Sequence, residues 1–290
     1  MLLRIPADFS EKLQTSGDMA KLNYTLNGSN PAMVKSMMES VAAGITESIN
    51  KQAVEQGASQ VLQGLSVPAE QAGMIAKEIS GRVESEVVTI HPVDGMNNQM
   101  VPMMLVLASF VGAMIMGMNL FQASRRIRSE LSFWQRFSAR TIINLVCSLV
   151  ISLLGTSLVF AFGGQMEHGF IVFWMFQAVF VASFLFFSQM FLQLFGEAGM
   201  LFNIAMLSLQ LVTSGALVPR ALLNDFYRSI GEVLPATYAV EGLMNLQFGG
   251  TNGALDIYWL LAITLVSIVV GFTSEFVKSY RPARVEAVSQ

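Results

Sequence analysis

The residue types that catalyse reactions or bind metals are few and widely spaced in this sequence. Cys147 is its single cysteine, and His91 and His168 are 77 positions apart, so the spacing of a metal site is missing. The sequence also lacks Gly-x-x-x-x-Gly-Lys, His-Glu-x-x-His and Gly-x-Ser-x-Gly. These absences predict that the chain is not an enzyme and takes no cofactor or metal. Any ATP hydrolysis would then be carried out by another chain.

Amides are the polar side chains that recur within otherwise apolar stretches. Gln189 and Gln193 are four positions apart and therefore share one face of a helix. Hydrogen bonds between helices are one interpretation of these amides, at about 0.6–2 kcal/mol each. The other interpretation is a polar lining along a path through the molecule. Its candidate residues are Gln177, Gln189, Gln193, Asn203 and Gln210.

The composition identifies the elements that must position these side chains. The 290 residues are 53% hydrophobic and only 13% charged, whereas a soluble domain carries about 25% charged residues. Five stretches contain no Asp, Glu, Lys or Arg: 95–124, 141–166, 169–196, 198–219 and 257–274. Each has about 18 residues or more, enough to cross roughly 30 Å of hydrocarbon as a helix.

The sequence therefore predicts a mainly α, polytopic membrane protein with five transmembrane helices. The predicted spans are 100–122, 141–163, 170–194, 199–218 and 257–276. A soluble enzyme, a nucleic-acid binder and a secreted disulfide scaffold are excluded by the same numbers. The absence of charged groups from the five stretches also argues against a proton relay of the kind that secondary transporters contain.

Arginine and lysine are distributed unequally between the two sides that five spans define. One side carries eight of them near span ends: Arg125, Arg126, Arg128, Arg136, Arg140, Lys278, Arg281 and Arg284. The other side carries three: Arg82, Arg220 and Arg228. The positive-inside rule places the first side in the cytoplasm. Residues 1–98 are thus predicted to be extracytoplasmic, 99–277 to form the transmembrane domain, and 278–290 to be a cytoplasmic tail.

The predicted external position of residues 1–98 requires a segment that carries them across the membrane. The first residues contain neither the apolar core of about 7–15 residues nor the small-residue cleavage site of a signal peptide. Either residues 1–98 cross the membrane unaided, which their length disfavours, or a further transmembrane helix precedes them in the full-length protein. We expect the second, which makes six.

Residues 1–98 themselves have the pattern of an α+β domain. Partial period-two alternation predicts strands over 21–26 and 82–90. Asn30-Pro31 provides a cap and a first residue for a long helix. Its apolar stripe, which predicts packing within the domain or docking of a partner, consists of Met33, Met37, Val41, Ile45, Ile49 and Ala53. After Val67-Pro68, a second helix is predicted over 69–80.

The loop 124–140 combines arginines with apolar residues at helical spacing. Its apolar residues fall on one face of a single predicted helix, at Ile127, Leu131, Trp134 and Phe137. One interpretation is a helix that anchors the protein at the membrane interface. The other is a docking element for a cytoplasmic subunit. Its candidate residues are Arg125, Arg126, Ile127, Arg128, Glu130, Leu131, Trp134, Arg136 and Phe137.

The loop 214–250 on the opposite side predicts two short amphipathic helices placed back to back. Pro219 ends a span and Leu234-Pro235 separates the two helices. Such a hairpin dips into the membrane or lies at its interface. Its candidate residues are Ser214, Gly215, Pro219, Leu234, Pro235, Thr237, Tyr238 and Glu241.

Two pairs of small residues lie in the first predicted span. Ala108 and Gly112 form one pair, and Ala113 and Gly117 form the other. Small residues four positions apart let transmembrane helices approach closely, because packing rather than water-driven burial holds helices together in lipid. A seam between two copies is one interpretation of these pairs. The other is ordinary transmembrane composition, in which such pairs are common by chance.

Two motifs near the C-terminal end resemble a known family. Ser-Gly-Ala-Leu-Val-Pro at 214–219 and Leu-Pro-Ala-Thr-Tyr at 234–238 are similar to the ends of ABC-2-type permeases. There a Ser-Gly…Pro stretch leaves the fifth span and a Leu-Pro-x-Thr-Tyr run precedes the sixth. Ile5-Pro6-x-Asp8-Phe9-Ser10 and His91-Pro92-Val93-x-Gly95 resemble the branch that includes YhgE and Pip, the phage infection protein.

This resemblance implies six spans and the membrane-spanning permease subunit of an exporter. Such a permease moves a lipid-like or amphipathic substrate outward with a separate ATPase, in a homodimer or a heterodimer. Many ABC-2 permeases carry Glu-x-Gly-Thr where the ATPase docks, but residues 128–134 lack the Gly-Thr. The alternative is a membrane surface protein without transport activity, which acts as a phage adsorption factor or a secretion-machine component through residues 1–98.

Overall fold

The structure, a computed structural model, describes residues 1–14, 19–28, 32–64, 83–127, 130–216, 220–249 and 253–280. The chain forms two compact units, Met1–Pro92 and Val93–Gln290. Several sequence-based predictions lie outside the described residues: the cap at Asn30-Pro31, the helix over 69–80, Arg82, Arg128, Pro219, and the charged residues of the tail after Lys278.

The first unit contains a three-stranded sheet and two helices among its described residues. β1 (Leu2–Arg4) pairs antiparallel with β2 (Ala20–Asn27), which pairs in parallel with β3 (Val83–Ile90). The helices are α1 (Phe9–Gln14) and α2 (Ala32–Gly64). The two strands and the long helix that the sequence predicted are therefore confirmed. Along β2 every second side chain is fully buried, namely Ala20, Leu22, Tyr24 and Leu26.

The middle of α2 packs on this sheet. The hydroxyls of Tyr24 and Thr46 are 3.1 Å apart. The Asn50 side chain donates to the carbonyl of Val83 at 3.0 Å and accepts from its amide at 2.8 Å, which satisfies both backbone groups at the start of β3.

The predicted apolar stripe of α2 is only partly the packing face. Ile45 and Ile49 pack against the core around Leu22 and Tyr24, but Met33, Met37 and Val41 are exposed. The reason is the spacing: at 3.6 residues per turn, positions four apart drift by about 40° per step, so the stripe winds around the helix. The packing face instead includes Ala42, which is 1% exposed, next to the exposed Val41.

The second unit is helical. Its elements are α3 (Gly95–Arg126), α4 (Phe133–Ala161), α5 (Phe170–Phe195), α6 (Gly199–Thr213), α7 (Asp225–Glu232), α8 (Pro235–Phe248) and α9 (Gly253–Tyr280). Short 3₁₀ turns at Gly196–Ala198 and Arg220–Leu222 precede α6 and α7.

Four helical segments among the described residues are long and apolar enough to cross a membrane: Gly95–Arg126, Phe133–Ala161, Phe170–Thr213 and Gly253–Ser279. The third combines α5 and α6, which the sequence predicted as two spans. Because α6 has 15 residues, it is about 22 Å long, less than the ~30 Å of a hydrocarbon core. The predicted count of five spans stays a prediction.

α5 is the central helix of this unit. Its phenylalanines Phe173, Phe176, Phe180 and Phe184 follow a helical period and are fully buried. A Cβ atom at Gly242 of α8 would collide with the ring of Phe176, so this glycine permits the close approach of α8 to α5. The predicted position of the α7–α8 hairpin, within the membrane or at its interface, stays a prediction. α8 itself is buried, and packs against α3, α5 and α9.

Candidate functional site

The predicted single helix over 124–140 is wrong. α3 ends at Arg126 and α4 begins at Phe133, so the chain turns between them. Ser132 starts α4 with a reciprocal cap, because its hydroxyl accepts from the Gln135 amide at 3.4 Å and the Gln135 side chain accepts from the Ser132 amide at 3.0 Å. This cap at Ser132 was the signal that the helical-spacing argument overlooked.

The candidate docking residues divide into an exposed and a buried set. The exposed set consists of Arg125, Arg126, Ile127, Glu130, Leu131 and Trp134, whose side chain is 60% exposed. By contrast Arg136 is only 6% exposed and Phe137 is half-buried. Trp134 and Phe137, which helical spacing placed on one face, thus differ in exposure, and Arg136 is buried.

Aromatic rings cluster at this end of α4 and α9. Phe133 lies 5.4 Å from Phe272 and 5.7 Å from Phe276, measured between ring centroids. Trp134 and Phe137 lie 5.5 and 5.1 Å from Phe272. Tryptophan and tyrosine side chains prefer the level of the lipid headgroups, so an exposed Trp134 in such a cluster is typical of a membrane–water boundary.

Charged side chains connect the helix ends next to the aromatic cluster. Arg140 Nη2 pairs with Glu275 Oε2, which joins α4 to α9. Lys278 Nζ donates to the carbonyls of Gln193 at 2.6 Å and Leu194 at 2.9 Å, which satisfies the last turn of α5. Arg125 Nη1 lies 2.9 Å from Glu197 Oε1.

The sequence argument treated Arg140 and Lys278 only as part of a charge count for orientation. Their pairing was detectable in one respect: Arg140 lies just before an uncharged stretch and Glu275 just after one. Two helix ends that share a side of the membrane bring such residues together.

Most of the buried amides connect neighbouring helices. The Asn144 and Gln189 side chains exchange two hydrogen bonds, of 2.9 and 2.8 Å, between α4 and α5. Thr156 donates to Gln177 at 2.7 Å, and Asn203 donates to the carbonyl and hydroxyl of Ser188 at 3.2 and 3.0 Å. These bonds correspond to the first interpretation of the amides, hydrogen bonding between helices.

Gln193 and Gln210 are the two remaining candidate residues for a polar path, and their surroundings differ. In the orientation that satisfies both ends of its amide, Gln193 donates to the carbonyl of Gly271 at 3.1 Å and accepts from Arg140 Nη2 at 3.2 Å. Gln210 is 2% exposed, and both polar atoms of its side chain lack a hydrogen-bond partner among the described residues. It lines a small apolar cavity together with Phe110 and Val240.

Residues of the Leu-Pro-x-Thr-Tyr run, 234–238, hold together the hairpin that α7 and α8 form. Pro235 is the first residue of α8, Thr237 donates to the carbonyl of Gly231 at 2.7 Å, and Tyr238 donates to the carbonyl of Glu232 at 2.6 Å. The Leu-Pro-x-Thr-Tyr run therefore fixes the angle between α7 and α8. Burial raises the pKa of the Tyr238 hydroxyl, which keeps it protonated as the donor.

An ion pair adds to this hairpin. Arg220 Nη1 lies 3.1 Å from Glu241 Oε1, and its Nη2 lies 3.8 Å from Glu232 Oε1. Ser214 and Gly215 are buried where α6 ends, with Gly215 at φ +81°, a conformation that favours glycine. Phe226 and Tyr227 on α7 are exposed. Leu222, which lies just before α7, is exposed as well.

The two pairs of small residues in α3 have different surroundings. A Cβ atom on Gly117 would lie 3.2 Å from Ser188 Oγ and 3.3 Å from Leu192 Cδ1, so Gly117 is packed against α5. Ala108 and Gly112 are exposed, and a Cβ atom on Gly112 would have nothing within 4 Å. Only the first of these pairs along the helix is thus available for contact with another chain.

Apolar helices long enough to cross a membrane, with a charged turn at one end and a buried hairpin at the other, define a polytopic membrane protein. The chain belongs to the ABC-2 family of transporters, since the family model described as "ABC-2 family transporter protein" matches residues 1–273. Proteins of this family are membrane transport components and are not themselves catalytic.

A relative in Bacillus subtilis (strain 168), the uncharacterized protein YhgE, is 26% identical over 201 residues. The match covers 68% of this chain and 24% of YhgE, so the chain spans about a quarter of that relative's length. The resemblance to ABC-2 permeases and to the YhgE-like branch is therefore confirmed. No solved structure matches the chain significantly.

Proposed function

We propose that this chain is the membrane-spanning permease subunit of an ABC-2-type exporter. It moves a lipid-like or amphipathic substrate outward, with ATP hydrolysed by a separate cytoplasmic ATPase. Family membership supports the permease, and ABC-2 permeases usually work with an ATPase partner. Because the family match includes residues 1–92 as well as the helices, it favours transport over a surface protein that works through that unit alone.

The observation that carries the proposal is the exposed apolar surface of the α3–α4 turn. Ile127, Leu131 and Trp134 face outward in a segment that also carries Arg125 and Arg126. Exposed aromatic and aliphatic side chains surrounded by charges are typical of a protein–protein contact. This turn takes the role of the docking element in place of the predicted continuous helix.

A force on this turn would be passed to the rest of the bundle. The Arg140–Glu275 pair lies two turns into α4 and connects it to α9. One further turn along, the Asn144–Gln189 pair connects α4 to α5. Binding of ATP by a docked subunit would therefore shift α4, α5 and α9 together rather than bend the turn alone.

The orientation follows from the positive-inside rule. In this proposal the α3–α4 turn and the C-terminal end of α9 are cytoplasmic, and the unit Met1–Pro92 is extracytoplasmic. The α7–α8 hairpin then lies towards the outer side of the membrane, where the substrate leaves.

Two copies of the chain, or this chain and a related permease, form the transporter in this proposal. The exposed face of α3 that carries Ala108 and Gly112 also presents Asn119, an amide at helical spacing within an apolar segment. A second helix packed there would provide both close contact and a hydrogen-bond partner.

Co-purification tests the docking step. Full-length Trp134→Asp and Leu131→Asp proteins, expressed in their native host and purified from its membranes, should lose an ATPase that co-purifies with the wild type. Phe226→Asp is the matched control, because Phe226 is similarly exposed but lies on α7 at the opposite end of the bundle. If Trp134→Asp and Leu131→Asp retain the ATPase as well as Phe226→Asp does, the α3–α4 turn is not the docking element.

A further inference from the structure

α9 carries two carboxyl groups, which differ in their partners. Glu275 pairs with Arg140. Asp256, in the first turn of α9, is 5% exposed and forms no ion pair among the described residues. It is the most buried carboxyl group among the side chains that the structure describes. A buried carboxylate without a cation is costly, so a different partner has to neutralise this charge.

Asp256 lies on the face of α9 that packs into the bundle. It shares this face with Leu260 and Ser267, which are also buried and follow at helical spacing. α8 packs against α9 at this end, where the rings of Tyr238 and Trp259 stack with centroids 5.6 Å apart. The carboxyl group therefore faces protein rather than water.

The hydrogen bond of the Asp256 side chain is a long one. Asn245 Nδ2 donates to Asp256 Oδ2 at 3.4 Å, beyond the usual range of about 2.7–3.2 Å. Hydrogen bonds to an ionised carboxylate are typically shorter than those to neutral groups. Asn245 also carries an oxygen, so after a rotation of its amide it can accept from the hydroxyl of a protonated carboxyl group.

The charged groups beside Asp256 come from the α7–α8 hairpin and the turn before it. Glu241 lies one turn before Asn245 on α8, and its negative charge opposes a second one at Asp256. Arg220 is already engaged by Glu241 at 3.1 Å and by Glu232 at 3.8 Å, so it compensates a charge at Asp256 only weakly.

The other helices packed on α9 supply no compensating charge at this end. α5 contains no titratable side chain, and the charged residues of α4, Arg136 and Arg140, lie at its other end, near Glu275. His168 Nδ1 lies 3.1 Å from a carbonyl oxygen in the last turns of α8. The first turn of α9 attracts an anion, but this attraction is smaller than the cost of burying an unpaired charge.

We propose that Asp256 is a proton-binding site whose neutral carboxyl group holds the start of α9 against α8. One proton from water binds a carboxylate oxygen, and the resulting hydroxyl donates to the Asn245 side-chain oxygen. Loss of the proton leaves a charge between the two helices and loosens their contact. This inference depends neither on the orientation of the bundle in the membrane nor on transport.

The pH dependence of unfolding tests the proposal on the full-length protein in detergent. Because the bound proton is lost with rising pH, the wild type should become less stable from about pH 5 to about pH 8, above the pKa of about 3.9 of an aspartate in an unfolded chain. Over this window its unfolding equilibrium constant should rise at least about tenfold more than that of Asp256→Asn, which is neutral throughout.

Two further variants identify the carboxyl group that binds the proton. Asp225→Asn is the matched control and should keep the pH dependence of the wild type, because Asp225 is exposed and paired with Arg228. Glu241→Gln should keep it as well. If Glu241→Gln removes the pH dependence while Asp256→Asn keeps it, the proton binds Glu241 and the assignment is wrong. Equal pH dependence in the wild type and Asp256→Asn would also overturn the proposal.

Infrared spectroscopy provides a second measurement that requires only the wild type. Exposed aspartates are ionised at about pH 6, so protein with isotope-labelled aspartate should show the carbonyl stretch of a protonated carboxyl group from Asp256 alone. This band should disappear as the pH is raised to about 9. A spectrum without the band at pH 6 would show that Asp256 is ionised, and the proposal would fail even if Asp256→Asn does not fold.

Discussion

Arg140 on α4 and Glu275 on α9 form a buried ion pair, although they are 135 positions apart in the chain. The Arg140 side chain is 5% exposed and that of Glu275 is 18% exposed. Arg140 also contacts the Gln193 side chain, so one guanidinium connects α4, α5 and α9. Breaking such a pair leaves a buried charge without its partner, which costs more than the pair itself contributes.

Glu275→Gln should therefore destabilise the protein by about 3 kcal/mol, since buried ion pairs lose roughly 3–5 kcal/mol when one partner is removed. The measurement is the free energy of unfolding in mixed detergent titrations. Arg140→Met/Glu275→Met should recover most of the loss, because well-packed apolar side chains replace a buried pair at little cost. A double variant that is less stable than Glu275→Gln would show that the pair contributes net stability.

The two glycines in α3 should respond in opposite ways to substitution. Gly117→Leu should lower the free energy of unfolding by about 1–3 kcal/mol, because its side chain would overlap Ser188 and Leu192 of α5. Gly112→Leu should leave this free energy unchanged, because the space beside Gly112 is open.

The same pair of variants tests the proposed contact between copies. If Ala108 and Gly112 form the seam, Gly112→Leu should lower the fraction of dimer in light-scattering or crosslinking measurements in detergent. A normal dimer fraction in Gly112→Leu would place the contact on another face.

Gln210→Met should raise the free energy of unfolding by about 1 kcal/mol. Its buried amide has no hydrogen-bond partner among the described residues, and replacing an unsatisfied polar group with an apolar one of similar size removes a penalty of about 1–3 kcal/mol. Gln189→Met is the control, because Gln189 is bonded to Asn144 and its replacement should destabilise.

Transport assays on these two variants bear on the role of Gln210. Reduced transport in the more stable Gln210→Met protein would support the polar-path interpretation of this residue. A loss of stability in Gln210→Met would show that the amide is satisfied by water or by a ligand in the cavity beside Phe110.

Much of the fold was predictable because it depends on local pattern. The alternation over 21–26 specified β2, and uncharged stretches specified α3 and α5 within a few residues. They also specified α4 and α9, although α4 begins eight residues before its stretch. The break at Leu234-Pro235 placed two short helices in the outer loop. Each of these signals lies within one continuous segment of the chain, where spacing, composition and backbone chemistry act directly.

The candidate site was less predictable, because its residues are defined by partners elsewhere in the chain. Helical spacing placed Ile127, Leu131, Trp134 and Phe137 on one continuous helix, but the cap at Ser132 divides this segment between a turn and α4. Arg136 and Arg140 counted as cytoplasmic charge, yet both point into the bundle.

The amino-acid sequence by itself determined that this chain lies in a membrane, because no aqueous fold can bury five long uncharged stretches, and it also contained the motifs of the ABC-2 family. Only the tertiary structure decided that Arg140 meets Glu275, that Asn144 meets Gln189, and that Gly117 is packed while Gly112 is open. The physical reason is that hydrophobicity is a property of each segment, whereas a hydrogen bond or a close contact requires two helices whose relative rotation is set by the packing of the whole bundle.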